Sequence, residues 1–353
     1  MSGYAIPFFG LKRQYENIKN ELLYVTDVVL QSGKFIEGFY TLELEKYLGE
    51  RVGSYAITCH SGTQALEIVA TYLRQSLDTP NVALPNLTYP ASGNAFLTTG
   101  YKLHLVDTNN YGIIKTDDIK SLVDVTVLVG LYGRDPQLSF KTKINSNFVI
   151  VDGAQHWLCL NKNSNLGLAT SVSFDPTKNL NSSGNGGAIL THDIELLEFA
   201  RFYRSNGKPT FKMPGTNSKM SELDCAHVLV RSKYIDDWQN KRLKIASFYN
   251  QEFSQLPIRL LCDLSVPNAI QKYVIFSKER KELQLYLHEN NIETKIAYEN
   301  TLSELPAFKG YSNPSFLSVS CMLSKGVLSL PIYPELKDIE IEYVVNSVKK
   351  FYK

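Results

Sequence analysis

From about residue 55 to residue 191 the chain alternates short apolar runs with amphipathic stretches, which predicts strands and helices in turn. Runs at 56–59, 82–85, 102–107, 125–130, 148–152, 171–174 and 187–191 have the length and content of buried strands. After Gly62, residues Ala65, Leu66, Val69, Ala70 and Leu73 fall on one helical face. This alternation predicts the α/β class: a seven-stranded, mainly parallel sheet flanked by helices. Ligands of such sheets collect beyond the carboxyl ends of the strands. The positions to watch are therefore Ser61-Gly62-Thr63, 86–89, 152–155 and 175–178.

The first 50 residues read as helical, broken at Ser32-Gly33 and at Gly38. Residues 221–250 read as one long helix, capped by Ser221, with Glu222 and Asp224 in its first turn. Beyond about 235 the pattern changes to separate helices and strands, including 272–276 and 326–330. The organisation expected is a large domain over 1–235 and a smaller C-terminal α+β domain over 236–353.

Composition narrows the function more by exclusion than by assertion. With 44% hydrophobic and 20% charged residues, the 353-residue chain has the make-up of a globular protein with an ample core. A net charge of +2 supplies no electrostatic attraction for nucleic acid or an anionic membrane. The first residues lack the basic and apolar regions of a signal peptide, and no apolar run approaches the roughly 20 residues that cross a bilayer. The five cysteines are scattered and show no CxxC spacing, which points to reduced thiols and a cytoplasmic setting. None of the six histidines falls at HxxxH or HExxH spacing, so no metal site is expected. Walker A, GxGxxG and GxSxG motifs are absent, which removes the hardware of nucleotide kinases, nicotinamide dehydrogenases and serine hydrolases.

The candidate chemistry lies at the strand ends. Lys178 follows one strand and precedes the Gly-rich turn Gly184 to Gly187. A lysine buried there loses its proton readily and can condense with an aldehyde, as pyridoxal 5'-phosphate (PLP) enzymes require. Asp152 ends an apolar run, where a carboxylate needs a cationic partner such as a pyridinium nitrogen; a helix cap or structural ion pair is the plainer reading. Gln155 is positioned to reach a ring oxygen or to face solvent. Gly62 and Thr63 open a helix, a turn that suits an anion or an ordinary cap. Tyr89 could stack on a flat ring or simply pack, and Ser173 could offer a hydroxyl to a phosphate or serve as a plain strand serine. His156 is adjacent to this segment and could touch a substrate; a packed or exposed histidine is the plainer reading.

Together these segments resemble the DegT/DnrJ/StrS family of PLP-dependent nucleotide-sugar aminotransferases. The resemblance runs from Ile6 almost to the C-terminus. It includes Ser32 to Gly38, Ser61 to Leu66, Pro85 to Tyr89, Val151 to Gln155, Ser173 to Leu180, Asn217 to Leu223 and Leu330 to Leu336. It implies the fold-type-I aminotransferase architecture and a homodimer with shared active sites. Lys178 matches the lysine that bonds to the cofactor and moves protons, Asp152 the pyridinium partner and Gln155 the ring-oxygen contact. Gly62, Thr63 and Ser173 match the phosphate cradle and Tyr89 the stacking position. Asn217 matches an asparagine that reaches the phosphate of the neighbouring subunit. Trp157 stands where the family often has histidine, Ala297-Tyr298-Glu299 where it has His-Tyr-Pro, and Asn185 where glutamate is common. These departures border the sugar side, where His156 and Tyr298 are the substrate candidates.

The activity implied is transfer of an amino group from L-glutamate to a nucleotide-linked keto-6-deoxysugar. The expected acceptor is a UDP- or dTDP-4-keto-6-deoxyhexose, giving a 4-amino-4,6-dideoxysugar. Alternatives are amination of a 3-keto sugar, a PLP-dependent sugar dehydratase, which carries His at the lysine position, and a non-catalytic PLP-binding protein. Amino-acid aminotransferases of this fold clamp a carboxylate with an arginine in the C-terminal domain, whereas no arginine follows Arg280 here.

Overall fold

The computed structural model describes residues 5–137, 144–311 and 316–353; the first four, part of the stretch read for targeting, lie outside it. Two helices, α1 (Leu11–Ser32) and α2 (Phe39–Val52), come first. Gly33 closes α1 in the left-handed region (φ 63°), where a side chain would be strained. The alternating region then gives β1 (Tyr55–Cys59), α3 (Gly62–Leu73), β2 (Asn81–Pro85), α4 (Ala91–Thr98), β3 (Lys102–Val106), β4 (Val123–Val129), β5 (Ser146–Asp152), β6 (Ala169–Ser173) and β7 (Gly187–Thr191). Each of the seven apolar runs is a strand, displaced by two residues at most.

The sheet order is β1-β7-β6-β5-β4-β2-β3. All neighbours are parallel except β7, which runs antiparallel between β1 and β6. Because β7 reverses twice, β1 points the same way as β6 although the two are distant in sequence. Alternate residues sort to opposite faces. Ile57 and Ile189 join the core under α3, α4 and α5 (Ile194–Tyr203), while Ala56, Ala188 and Leu190 join the core under α1, α2 and α6 (Glu222–Ser232).

The expected single helix over 221–250 is two helices, α6 and α7 (Ile235–Phe253). Tightened i→i−3 bonds from Lys233 to Val230 and from Tyr234 to Arg231 end α6. Lys233 and Tyr234 both bond Glu21 on α1, which holds the break in place. The apolar spacing carries on through the break, so periodicity alone does not reveal it. α7 then leaves the large sheet: Trp238 packs in the core under α6, while Ile245, Tyr249 and Phe253 pack in a further core. That core is built on an antiparallel sheet of β8 (Arg259–Leu260), β9 (Tyr273–Phe276) and β10 (Val327–Leu330), with α8 (Arg280–Glu289) and α10 (Asp338–Phe351), while α9 (Ser318–Gly326) sends Leu323 into the core under α3, α4 and α5. Ile6 also packs there and bridges Ile292, so the extreme N-terminal segment joins the C-terminal half rather than the expected 1–235 unit.

Gly187 sits at the start of β7, opposite Cys59 on one side and Ser173 on the other. A Cβ there would meet the Ser61 carbonyl carbon at 2.3 Å and the Gly62 nitrogen at 2.6 Å. Those atoms are backbone and cannot step aside. Gly187→Ala should therefore lower the free energy of unfolding by about 1–3 kcal/mol, the usual range for overpacking. Urea denaturation measures it, and an unchanged midpoint would contradict this close approach.

Candidate active site

The loops after β1, β2, β4, β5 and β6 gather at one edge of the sheet, and adjacent strands β5 and β6 set its centre. Beyond β6 the chain turns back on itself, with the Lys178 N–H donating to the Asp175 carbonyl at 2.8 Å. Lys178 is half-buried. Burial pushes its pKa below that of an ordinary lysine, and the negative charges of Asp152 and Asp175 oppose this only in part. The amine is thus biased toward its neutral, nucleophilic form.

Asp152 is 6% exposed. The Ser92 hydroxyl donates to its Oδ2 at 2.6 Å, and the Ala154 N–H donates to Oδ1 at 3.1 Å. The Ser171 hydroxyl makes a longer contact of 3.5 Å. Among the described residues no cation lies within ion-pairing distance, so a buried carboxylate stands hydrogen-bonded but without a counter-charge. A protonated ring nitrogen supplies one.

Ser61 caps α3, its hydroxyl accepting from the Gln64 N–H at 3.1 Å. The N–H groups of Gly62 and Thr63 point out of the helix without a partner among the described residues. A Cβ on Gly62 would meet Ser173 Cβ at 2.9 Å, so the glycine lets the turn pack directly against the end of β6. The two free N–H groups of the turn and the adjacent Ser173 hydroxyl form an anion cradle. Cradle, carboxylate and amine fit the three ends of PLP: phosphate, pyridinium and aldehyde.

Gln155 is 8% exposed and is held at both ends of its amide. Its Oε1 accepts from the Tyr132 N–H at 2.7 Å, and its Nε2 donates to the Tyr298 hydroxyl at 3.0 Å. Burial raises the pKa of Tyr298, keeping the phenol protonated. Tyr89 is 58% exposed at the cleft mouth, with its ring 5.7 Å from that of Tyr298. Asn217 is exposed; the neighbouring Ser218 carbonyl accepts from the His60 N–H at 2.7 Å, which fixes its strand beside the cradle turn.

Of the alternatives open for His156, the packed one is realised. It is fully buried against Gly130, where an added Cβ would lie 2.0 Å from its Nδ1. Neither ring nitrogen has a hydrogen-bond partner, and burial pulls its pKa down to about 4 against weaker opposition from the Asp152 backbone. Its ring is closed off from solvent. Three residues in the site carry no local sequence signal: Ser92 orients Asp152, Tyr132 holds Gln155, and Lys272 arrives from the C-terminal half. No metal-binding group of His, Cys, Asp or Glu occurs among the described residues. No helix among them is long and apolar enough to cross a membrane.

Residues 16–349 match the model of the DegT/DnrJ/EryC1/StrS aminotransferase family. The chain belongs to this family. Its members are PLP-dependent aminotransferases. A dTDP-3-amino-3,6-dideoxy-alpha-D-galactopyranose transaminase from Aneurinibacillus thermoaerophilus is 32% identical over 363 residues, covering 98% of this chain and 99% of that protein. A protein named pleiotropic regulatory protein from Geobacillus stearothermophilus is 30% identical over 375 residues, covering 99% of both. The structure of NtdA from Bacillus subtilis with bound PMP, the amine form of the cofactor, superposes with a TM-score of 0.87 at 26% identity. That match covers 99% of this chain and 86% of that one. Further relatives are named for both 3-amino and 4-amino sugars.

The buried histidine predicts a pH dependence of stability. An unfolded histidine titrates near 6.5 whereas His156 titrates near 4, so stability is complete above pH 6.5 and is lost as pH falls toward 4. The shift amounts to something on the order of 3 kcal/mol. In urea titrations between pH 7 and 4, His156→Leu should lose distinctly less stability than the unmodified chain. Parallel curves would show that His156 is not held neutral.

Proposed function

We propose that the chain transfers an amino group from L-glutamate to a nucleotide-linked keto-6-deoxysugar, with Lys178 moving the proton at the reacting carbon. The observation that carries this reading is a half-buried, proton-poor amine in the turn after β6, near a buried carboxylate at the end of β5 that has no counter-ion. Family membership and relatives named for sugar transamination support the acceptor class.

In this reading PLP supplies an aldehyde that captures amines and a ring that accepts the electrons released when the adjacent carbon loses a proton. Asp152 holds the ring nitrogen protonated, and Ser92 and Ser171 fix the carboxylate for that task. Gly62, Thr63 and Ser173 hold the phosphate. Gln155 has one N–H left for the ring oxygen after bonding Tyr298. Tyr89 stacks on the ring and, with Tyr298, walls the cleft. Lys178, once its amine is free, would take the proton from the donor's reacting carbon and, in the second half-reaction, would deliver one to the sugar carbon. The second half-reaction runs the first in reverse order.

The resemblance favours carbon 4 of the sugar, and the relative at 32% identity favours carbon 3. A panel of dTDP- and UDP-linked 3-keto and 4-keto sugars, with mass spectrometry and NMR of the products, assigns the carbon and the carrier. Failure of every keto sugar alongside transfer to simple keto acids would sink the sugar assignment. Lys178→Ala should retain PLP without covalent attachment and lose transamination by about 10²–10⁴-fold, the scale of general acid–base catalysis. Undiminished turnover would refute the role of Lys178.

The site is proposed to be completed in a homodimer. Tyr24, Phe35, Phe39 and Leu42 are large, apolar and exposed on α1, the α1–α2 turn and α2. Such a patch is more apolar than an isolated surface needs, and exposed Asn217 is available to a second copy. Phe39→Asp should shift sedimentation from dimer toward monomer and weaken PLP retention. A dimer of unchanged stability would move the interface elsewhere.

A further inference from the structure

Lys272 lies one residue before β9, yet it belongs to the cleft. The N–H groups of Gln271 and Lys272 both donate to the Tyr132 carbonyl, at 3.0 and 3.3 Å. Gln271 Nε2 donates to the carbonyl of Thr177, the residue before Lys178, at 3.1 Å, and Lys272 Nζ donates to Gln271 Oε1 at 2.6 Å. The Lys272 amine is therefore tethered beside the Lys178 turn by its own neighbour. Among the described residues no carboxylate lies within ion-pairing distance of it. We propose that Lys272 receives the α-carboxylate of the amino donor.

The chemistry of the two half-reactions gives this placement its sense. An amino-acid donor brings a carboxylate on the same carbon as the reacting amine, so its receptor must stand close to Lys178. The acceptor sugar carries no carboxylate on its reacting carbon. A fixed guanidinium at this place would remain charged and unmatched when the sugar enters, at a desolvation cost. A lysine can give up its proton instead. Burial, the charge of Lys178 and then that of Arg242 on α7 pull the Lys272 pKa down to about 7, with Asp175 alone opposing. Lys272 is thus a conditional cation: it takes up a proton from solvent when a carboxylate arrives and stays neutral for the sugar. Arg280, the last arginine of the chain, is spent elsewhere: it is 3% exposed, bonds the Ser324 carbonyl at 3.1 Å and lies 3.6 Å from Glu299.

The inference deepens the proposed transamination and rests on an amino-acid donor. Its test follows the half-reactions separately in PLP-loaded protein and adds a binding measurement that needs no turnover. Lys272→Met should weaken L-glutamate in the first half-reaction by about 10- to 100-fold, the worth of a charge-assisted hydrogen bond, and leave the keto-sugar affinity of the pyridoxamine form unchanged. Lys272→Arg should keep glutamate affinity and weaken the sugar. Calorimetry of glutarate, an unreactive dicarboxylate, in two buffers of different ionisation enthalpy near pH 7.5 should show proton uptake by the unmodified protein. Both variants should lack that uptake. Glutamate and glutarate binding unchanged in Lys272→Met would overturn the assignment. An equal loss of sugar-nucleotide or free dTDP affinity would give Lys272 to the diphosphate instead. If no donor or keto sugar reacts, the transaminase reading fails on its own, and glutarate still decides whether Lys272 binds a carboxylate.

Discussion

An amine and a carboxylate must be held in one cleft without neutralising each other, and the rest of the structure depends on that constraint. Lys178 and Asp152 feel each other's charge, yet Asp152 ends β5, Lys178 lies in the turn beyond the neighbouring β6, and they form no ion pair. A direct contact would fix both charges, consume the nucleophile and close the place where a ring nitrogen belongs. Asp152 is satisfied by hydroxyl and backbone donors from Ser92, Ala154 and Ser171, which stabilise a negative charge without cancelling it. Lys178 is kept short of protons by the apolar sheet beneath it. Both conditions need the strands buried on two faces, which is why so much of the chain is devoted to helices that cover a sheet.

At the cleft itself, one residue just beyond β4 of the large sheet makes several of the bonds to the C-terminal half. Tyr132 has φ 63°, a conformation disfavoured for a bulky side chain, and it persists because its groups are engaged in both directions. Its N–H holds Gln155, its carbonyl accepts from Gln271 and Lys272, and its hydroxyl bonds the Ala297 carbonyl. Residues of the large sheet and of the smaller one are thereby set against each other within a few bonds. Tyr298, Gln271 and Lys272 owe their places in the cleft to that seam.

Much of this was legible in the sequence, for a definite reason. Residues that follow an apolar run must emerge at a strand end, so Asp152, Ser173, Lys178 and the turn at Ser61 to Thr63 could be located from pattern alone. Ser92, Tyr132 and Lys272 could not, because each acts through neighbours brought near by the fold and none carries a local signature. Adjacency along the chain could not select the packed alternative for His156, since it says nothing about which face of the segment a ring occupies. The α6–α7 break escaped because the apolar spacing is continuous while the bonds that end α6 are made to Glu21, some two hundred residues away in sequence.

The insertion of β7 between β1 and β6 bears on biosynthesis. β1 is an edge strand whose sole partner in the sheet is β7. A chain leaving the ribosome therefore carries the Ser61 turn for well over a hundred residues before Gly187 arrives to pin it beside Ser173. Until then the emerging polypeptide holds no assembled pocket, and the vitamin-derived group has nowhere to dock. Acquisition of the coenzyme is thus deferred until more than half of the protein has been made, and it reports on successful closure of the sheet.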